Sequence, residues 1–154
     1  MLMEDFMRIS TKGRYGLAAM ITMVRQSNTR EYITIISIAE KLGLSKIYLE
    51  QVFSLLKRAE LVNSVKGAQG GYQIAKPIED ITAYQILNAT EQFLFEKTDK
   101  TISQNALNIE IVMETMVFEQ IDIVVAERLQ KITLRDLVNQ VEKLSDTNNM
   151  MFYI

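Results

Sequence analysis

The groups in this chain that could do chemistry are cations, amides and hydroxyls gathered at helix starts and in one Gly-rich turn. That arrangement suits anion binding better than turnover of a substrate. Ser10, Thr11, Lys12 and Arg14 cluster where a helix would begin, and hydroxyls, backbone N–H groups and the positive end of a helix all suit a phosphate. Lys46, Tyr48, Glu50, Gln51 and Ser54 fall on the outer side of a second helix. There a Glu can accept from cytosine N4 and a Gln can pair with adenine N6 and N7. Lys66 stands beside Gly67, Gly70, Gly71 and Tyr72 in a turn whose glycines permit positive φ. It is not a P-loop, because no Gly-Lys-Ser/Thr follows. Each pattern also has a plainer reading: N-capping, a solvated helix face and an ordinary hairpin turn.

The absences narrow the field further. The 154 residues include no Cys and no His. Disulfides, thiolate nucleophiles, imidazole bases and Cys/His metal sites are therefore excluded. No acid/base pair or metal constellation is visible in what remains, so no catalytic residue, metal ligand or cofactor is assigned and an enzyme is not expected. The net charge of −2 conceals a split: 11 Lys and Arg against 6 Asp and Glu up to Pro77, then 6 against 13 beyond it. A basic front half suggests that this half alone faces a polyanion. The start MLMEDFMRISTKGR has no apolar run, and no stretch approaches the roughly 18 uncharged apolar residues of a membrane span. The expectation is a soluble, cytoplasmic protein without a membrane partner.

These residues need elements to position them. Ser10 is placed to cap a helix over Thr11 to Ser27, with Leu17, Met20, Ile21 and Val24 as its apolar stripe. Tyr32 to Thr34 is short and β-prone. Thr34 caps a short helix ending at Gly43, and Ser45 caps the next, Lys46 to Ala59, with Ile47, Leu49, Val52, Phe53 and Leu56 as its core face. Two helices joined by a tight Gly-containing turn read as a helix-turn-helix. Glu60 to Val65 and Gly71 to Ala75 read as two strands around the basic turn, closed by Pro77. Thr82 then caps a further helix. A reading helix followed by a hairpin is how a winged helix looks in sequence, with the helix in a DNA groove and the hairpin on the adjacent backbone. The fold class expected is mainly α with a small two-stranded wing (α+β): a winged helix-turn-helix followed by a long dimerisation helix.

That long helix should run from near Ser103 to about Gln130, and it is apolar on too many faces for a lone surface helix. Ile109, Val112, Met113, Met116, Val117, Ile121 and Val124 are the residues expected to meet the same helix of a second subunit in a two-fold homodimer. The alternative cover is the final helix, opened by Thr133 and Asp136 in capping-box style. A polar stretch, SDTNN, then leads to an apolar tail, Met151, Phe152, Tyr153 and Ile154. The tail could tuck onto the dimer or enter a partner pocket that captures a C-terminal carboxylate. The organisation expected is an extension over 1–6, a winged helix-turn-helix over 7–92, dimerisation helices over 93–145 and a tail over 146–154.

Arg8–Met20 (RISTKGRYGLAAM), Leu44–Ile74 (LSKIYLEQVFSLLKRAELVNSVKGAQGGYQI) and Asp80–Leu87 (DITAYQIL) together resemble the Rrf2 family of bacterial winged-helix regulators. The resemblance is close over the first 90 or so residues and extends to the long helix by pattern; it aligns Met7 with the family's usual first residue. It implies a homodimer on double-stranded DNA, with Ser10, Thr11, Lys12 and Arg14 on the backbone, Tyr48, Glu50 and Gln51 in the reading helix, and Lys66 as the wing's basic residue. Ile47 departs from the small polar residue some members carry. Cluster-binding members carry three Cys before the long helix, where this chain reads EQFLFEKTDKTISQ. The resemblance is therefore to the cluster-free cysteine-metabolism repressors, which also end in MFYI and which imply a complex with cysteine synthase. Two readings of other classes stay open: a protein-interaction adaptor working through its acidic half and tail, and a regulator gated by a small molecule.

Overall fold

The structure is a computed structural model, and it describes residues 8–27, 32–67, 70–92, 94–97, 99, 100, 102 and 104–152, with Phe152 as backbone. The extension expected over 1–6, Met7, Tyr153 and Ile154 lie outside the described residues.

Hydroxyls set the helix starts. Ser10 Oγ accepts from Gly13 N at 3.2 Å, Thr34 Oγ1 from Ser37 N at 3.1 Å, Ser45 Oγ from Tyr48 N at 3.5 Å and Thr82 Oγ1 from Gln85 N at 3.2 Å. Each satisfies a first-turn N–H that has no partner within its own helix. They open α1 (Thr11–Gln26), α2 (Ile35–Leu42), α3 (Lys46–Arg58) and α4 (Ala83–Thr90). Gly43, at φ +67°, ends α2 in the left-handed conformation and turns the chain into α3.

The strand expected from Glu60 begins later. Glu60 itself takes φ +60° in the turn that terminates α3, where its N–H reaches back to Lys57 O. β1 (Val62–Val65) then pairs antiparallel with β2 (Gly71–Ile74), Val62 opposite Ile74 and Val65 opposite Gly71. Ile33 joins the outer edge of this hairpin by exchanging backbone bonds of 2.8 and 2.9 Å with Tyr72. That junction corrects the expected role of the wing glycines. Neither Gly67 nor Gly71 takes a left-handed φ. A Cβ on Gly71 would instead lie 2.8 Å from Ile33 O, so glycine there allows close approach of two backbones. Gly71→Ala should therefore destabilise the fold by about 1–3 kcal/mol in urea unfolding. Gly67→Ala, whose Cβ would meet nothing within 4 Å, should stay within about 0.5 kcal/mol. Equal effects at the two positions would refute the backbone-contact explanation.

The core lies between α1, α2, α3 and α4, with Met20, Met23, Ile38, Leu49, Val52, Phe53, Leu56 and Ile86 fully buried. The inner face of α1 is rotated from the expected stripe. Gly13, Gly16, Ala19, Met20 and Met23 are buried, while Leu17, Ile21 and Val24 are only partly so. The cause is α4, which crosses so closely that a Cβ on Gly16 would lie 2.8 Å from Thr90 Cγ2. On α3, Ile47, expected in the core, is 71% exposed.

After the loop that follows α4, a 3-10 turn (Gln104–Ala106) leads into α5 (Leu107–Met113), a π turn (Glu114–Phe118) and α6 (Glu119–Gln130), end to end. The uniform helix expected here is thus interrupted mid-way. Thr115 Oγ1 donates to Ile111 O at 2.8 Å, and Gln120 Nε2 donates to Thr115 O at 3.3 Å, a side chain supplying that carbonyl with a donor across the irregular turn. α7 (Leu134–Phe152) opens with the expected reciprocal cap: Thr133 N to Asp136 Oδ2 at 3.0 Å, Asp136 N to Thr133 Oγ1 at 3.1 Å. The Thr133 backbone N–H, and after it the Thr133 side chain, hold the Asp136 carboxyl below the ordinary carboxylate range. The start of α7 belongs to the winged-helix core. Leu134 and Val138 are buried there, Leu134 N donates to Ile81 O at 2.7 Å, and Arg25 pairs with Glu142 at 2.8 Å. The polar stretch SDTNN is helical rather than a link, with Ser145 and Thr147 hydroxyls bonded back to Val141 O and Lys143 O. Among the described residues, no helix is long and apolar enough to cross a membrane.

Candidate nucleic-acid interface

α3 is presented by its own cap and by the wing. Ser45 fixes its start, and Leu49, Val52, Phe53 and Leu56 pin one side into the core. The other side is outward: Lys46, Ile47, Glu50, Gln51 and Ser54 are all exposed. Tyr48 differs from expectation. It is half-buried, its ring edge-on to Tyr15 of α1 at 5.2 Å, so its packed ring ties α3 to α1. Tyr72 is similarly held, tilted on Phe53 at 4.7 Å, and anchors β2 against α3.

Three concavities join into one strip. The first, about 470 Å³, lies between wing and helices and is lined by Thr34, Ile36, Lys46, Glu50, Gly70 and Gly71. The second, about 440 Å³, follows α3 past Ile47, Glu50, Gln51 and Ser54 to Lys12. The third, about 600 Å³, runs from Lys12 to Arg8, Ser10, Thr11, Arg14 and Glu91. Glu50 belongs to the first two and Lys12 to the last two, so the wing base, the outer side of α3 and the start of α1 form a continuous surface. Lys66 is exposed at the end of β1. Lys46 lies 3.6 Å from Glu50, an exposed pair one turn apart that water and salt screen.

Two features of this strip escaped the sequence. Glu91 Oε1 accepts from Ser10 N at 2.8 Å, so a carboxylate already occupies part of the α1 start where a phosphate was expected. The two residues are 81 positions apart, and nothing local signals the contact. Arg8 is the second, set beside Ser10 in the third concavity.

Away from the strip lies an apolar surface. Ile109, Val112, Met116, Val117, Ile121 and Val124 are exposed along α5, the π turn and α6, and Met113 is half-buried. α6 packs on α4 and α7 packs on α1, which leaves this surface uncovered by the chain's own C-terminal helix. Met151 is exposed near the end of α7.

The family model described as Rrf2, iron-dependent transcriptional regulator, matches residues 9–140. The chain belongs to the Rrf2 family. It is similar to the solved structure of CymR, the global cysteine regulator of B. subtilis, at 32% identity and a TM-score of 0.69, covering 88% of this chain and 98% of that one. It is also similar to IscR of T. potens, at 36% identity and a TM-score of 0.68 over 90% of each chain. The HTH-type transcriptional regulator IscR of Cereibacter sphaeroides is 38% identical over 87 residues; that match spans just over half of each chain, 56% in both cases. This Rrf2 chain is therefore a DNA-binding transcriptional regulator and not an enzyme, with the mainly helical, two-stranded architecture of a winged helix.

The iron named in the family description does not fit the donors here. The loop between α4 and the 3-10 turn offers Glu96, Lys97, Asp99 and Lys100, and the chain has no thiol or imidazole. Iron–sulfur clusters are held by thiolates, with imidazole the usual substitute. Among the described residues no group of carboxylates is arranged to hold a metal. No step of the reading that follows passes through iron.

Proposed function

We propose that this regulator acts as a homodimeric repressor on a two-fold-symmetric operator, each subunit giving one α3 and one wing. The observation that carries this reading is the continuity of the strip: the exposed side of α3, the wing glycines and Lys12 share one surface. Thr11, Lys12, Arg14 and Lys66, with Ser10 through its hydroxyl because Glu91 holds its N–H, would take backbone phosphates, and Glu50 and Gln51 would read base edges. The uncovered apolar surface on α5 and α6 would pair with its own copy, setting the two reading helices one or two helical turns of DNA apart, about 34 Å per turn. Selection of bound duplexes from a random pool, followed by gel shifts on the selected site and on scrambled DNA, tests it. Glu50→Ala should lower the ratio of specific to non-specific affinity by about 5- to 100-fold per half-site, by loss of one base contact in each. Equal weakening on both duplexes would remove Glu50 as a reader.

The regulated process we propose is cysteine and sulfur metabolism, with cysteine synthase as co-regulator. The similarity to the B. subtilis cysteine regulator over most of both chains supports it, as does the absence of any cluster-type ligand. Ile154 would enter the synthase pocket that accepts a C-terminal carboxylate. Removing Tyr153 and Ile154 should abolish association with cysteine synthase in calorimetry while leaving DNA binding intact. Unchanged affinity for the synthase would reject insertion of the tail.

A further inference from the structure

The exposed side of α3 contains one side chain that neither the phosphate contacts nor the polar base readers explain. Ile47 is the second residue of α3, in the turn that reaches deepest into a groove, and it is 71% exposed. Three core positions on the same helix, Leu49, Val52 and Phe53, are fully buried, so the exposure is imposed by how α3 is seated rather than by a loose fold. Ile47, Gln51 and Ser54 are spaced four and three residues apart, which puts them on one side of the helix, and Lys12 flanks them in the same concavity. A β-branched aliphatic group at that place can donate and accept no hydrogen bond. Its only complementary feature in a major groove is the thymine C5-methyl, the one apolar group that distinguishes a base pair there.

We infer that Ile47 is a specificity-determining residue that packs on a thymine methyl, next to the adenine that Gln51 is placed to read. Four residues separate the two side chains, about 6 Å along α3, against about 3.4 Å between successive bases. The two targets therefore fall within about two base steps of each other, and the operator half-site carries an A/T-rich reading position. This inference rests on the operator reading proposed above.

The test uses the full chain and the selected operator, with each thymine replaced in turn by deoxyuridine in both half-sites. Deoxyuridine keeps every hydrogen-bonding group and lacks only the methyl. At one symmetric position the wild-type protein should lose about fourfold per half-site, roughly 15-fold for the dimer, which is what burial of one methyl is worth. Ile47→Ala should bind the thymine operator weakly by a similar factor and be indifferent to deoxyuridine at that position. Because Ile47 is exposed, the substitution should leave the unfolding transition unchanged, which circular dichroism would verify. A wild-type protein that selects an operator yet shows no deoxyuridine effect, or the same effect in Ile47→Ala, overturns this assignment alone. Failure to select any duplex overturns the operator reading with it.

Discussion

Met116→Asp combined with Val124→Asp should leave the protein monomeric in sedimentation and weaken operator binding by at least about 100-fold. The two side chains are 70% and 63% exposed in the single chain, on a surface that α7 does not cover. In the proposed homodimer they would be enclosed among Ile109, Val112, Val117 and Ile121. An ionised carboxylate placed there without a partner costs several kcal/mol per subunit, because the apolar surroundings replace none of its lost hydration. Loss of pairing reaches DNA through geometry rather than through any contact: two linked half-sites bind with an effective concentration that separate subunits lack, an advantage of about 100- to 10,000-fold. Asn139→Asp, exposed on α7, should change neither property. A doubly substituted protein that still sediments as a dimer would place the subunit interface elsewhere.

The second large effect concerns charge. Lys12→Ala with Lys66→Ala should weaken binding to specific and scrambled duplexes alike, and should flatten the dependence of log affinity on log salt by about 3–4 for the dimer. Each cation on a phosphate releases condensed counterions and contributes about 0.9 to that slope, and two residues act in each of two subunits. Lys12 links the α1 hollow to the α3 groove, and Lys66 stands at the wing. The preference between duplexes should survive, because phosphates carry no base identity. A slope unchanged within about 0.5 would mean that neither residue meets the backbone and that the strip faces something other than DNA.

Much of this molecule is legible because its signals are local. Ser10, Thr34, Ser45 and Thr82 each bond a backbone N–H three residues on, so the sequence alone places four helix starts correctly. Thr133 and Asp136 do the same reciprocally. Less legible were the faces. Ile47 carries the same apolar signal as Leu49 and Val52, and only the seating of α3 against α1 and the wing decides that it points outward. The wing glycines read as conformational freedom, whereas Gly71 answers a backbone that arrives from Ile33. The contact between Glu91 and Ser10 carries no local signal at all.

Sequence by itself determined which groups this protein can use: without Cys or His it offers no thiolate and no imidazole, and 11 of its 17 Lys and Arg lie before Pro77. It also determined where helices begin, since a cap is a contact between near neighbours. Tertiary structure alone decided which side of each helix is inward, that α7 continues to Phe152 with its first turns in the winged-helix core, and that the apolar surface of α5 and α6 stays open. The reason is that a helix apolar on several sides can bury only those its neighbours reach, and those neighbours come from distant parts of the chain.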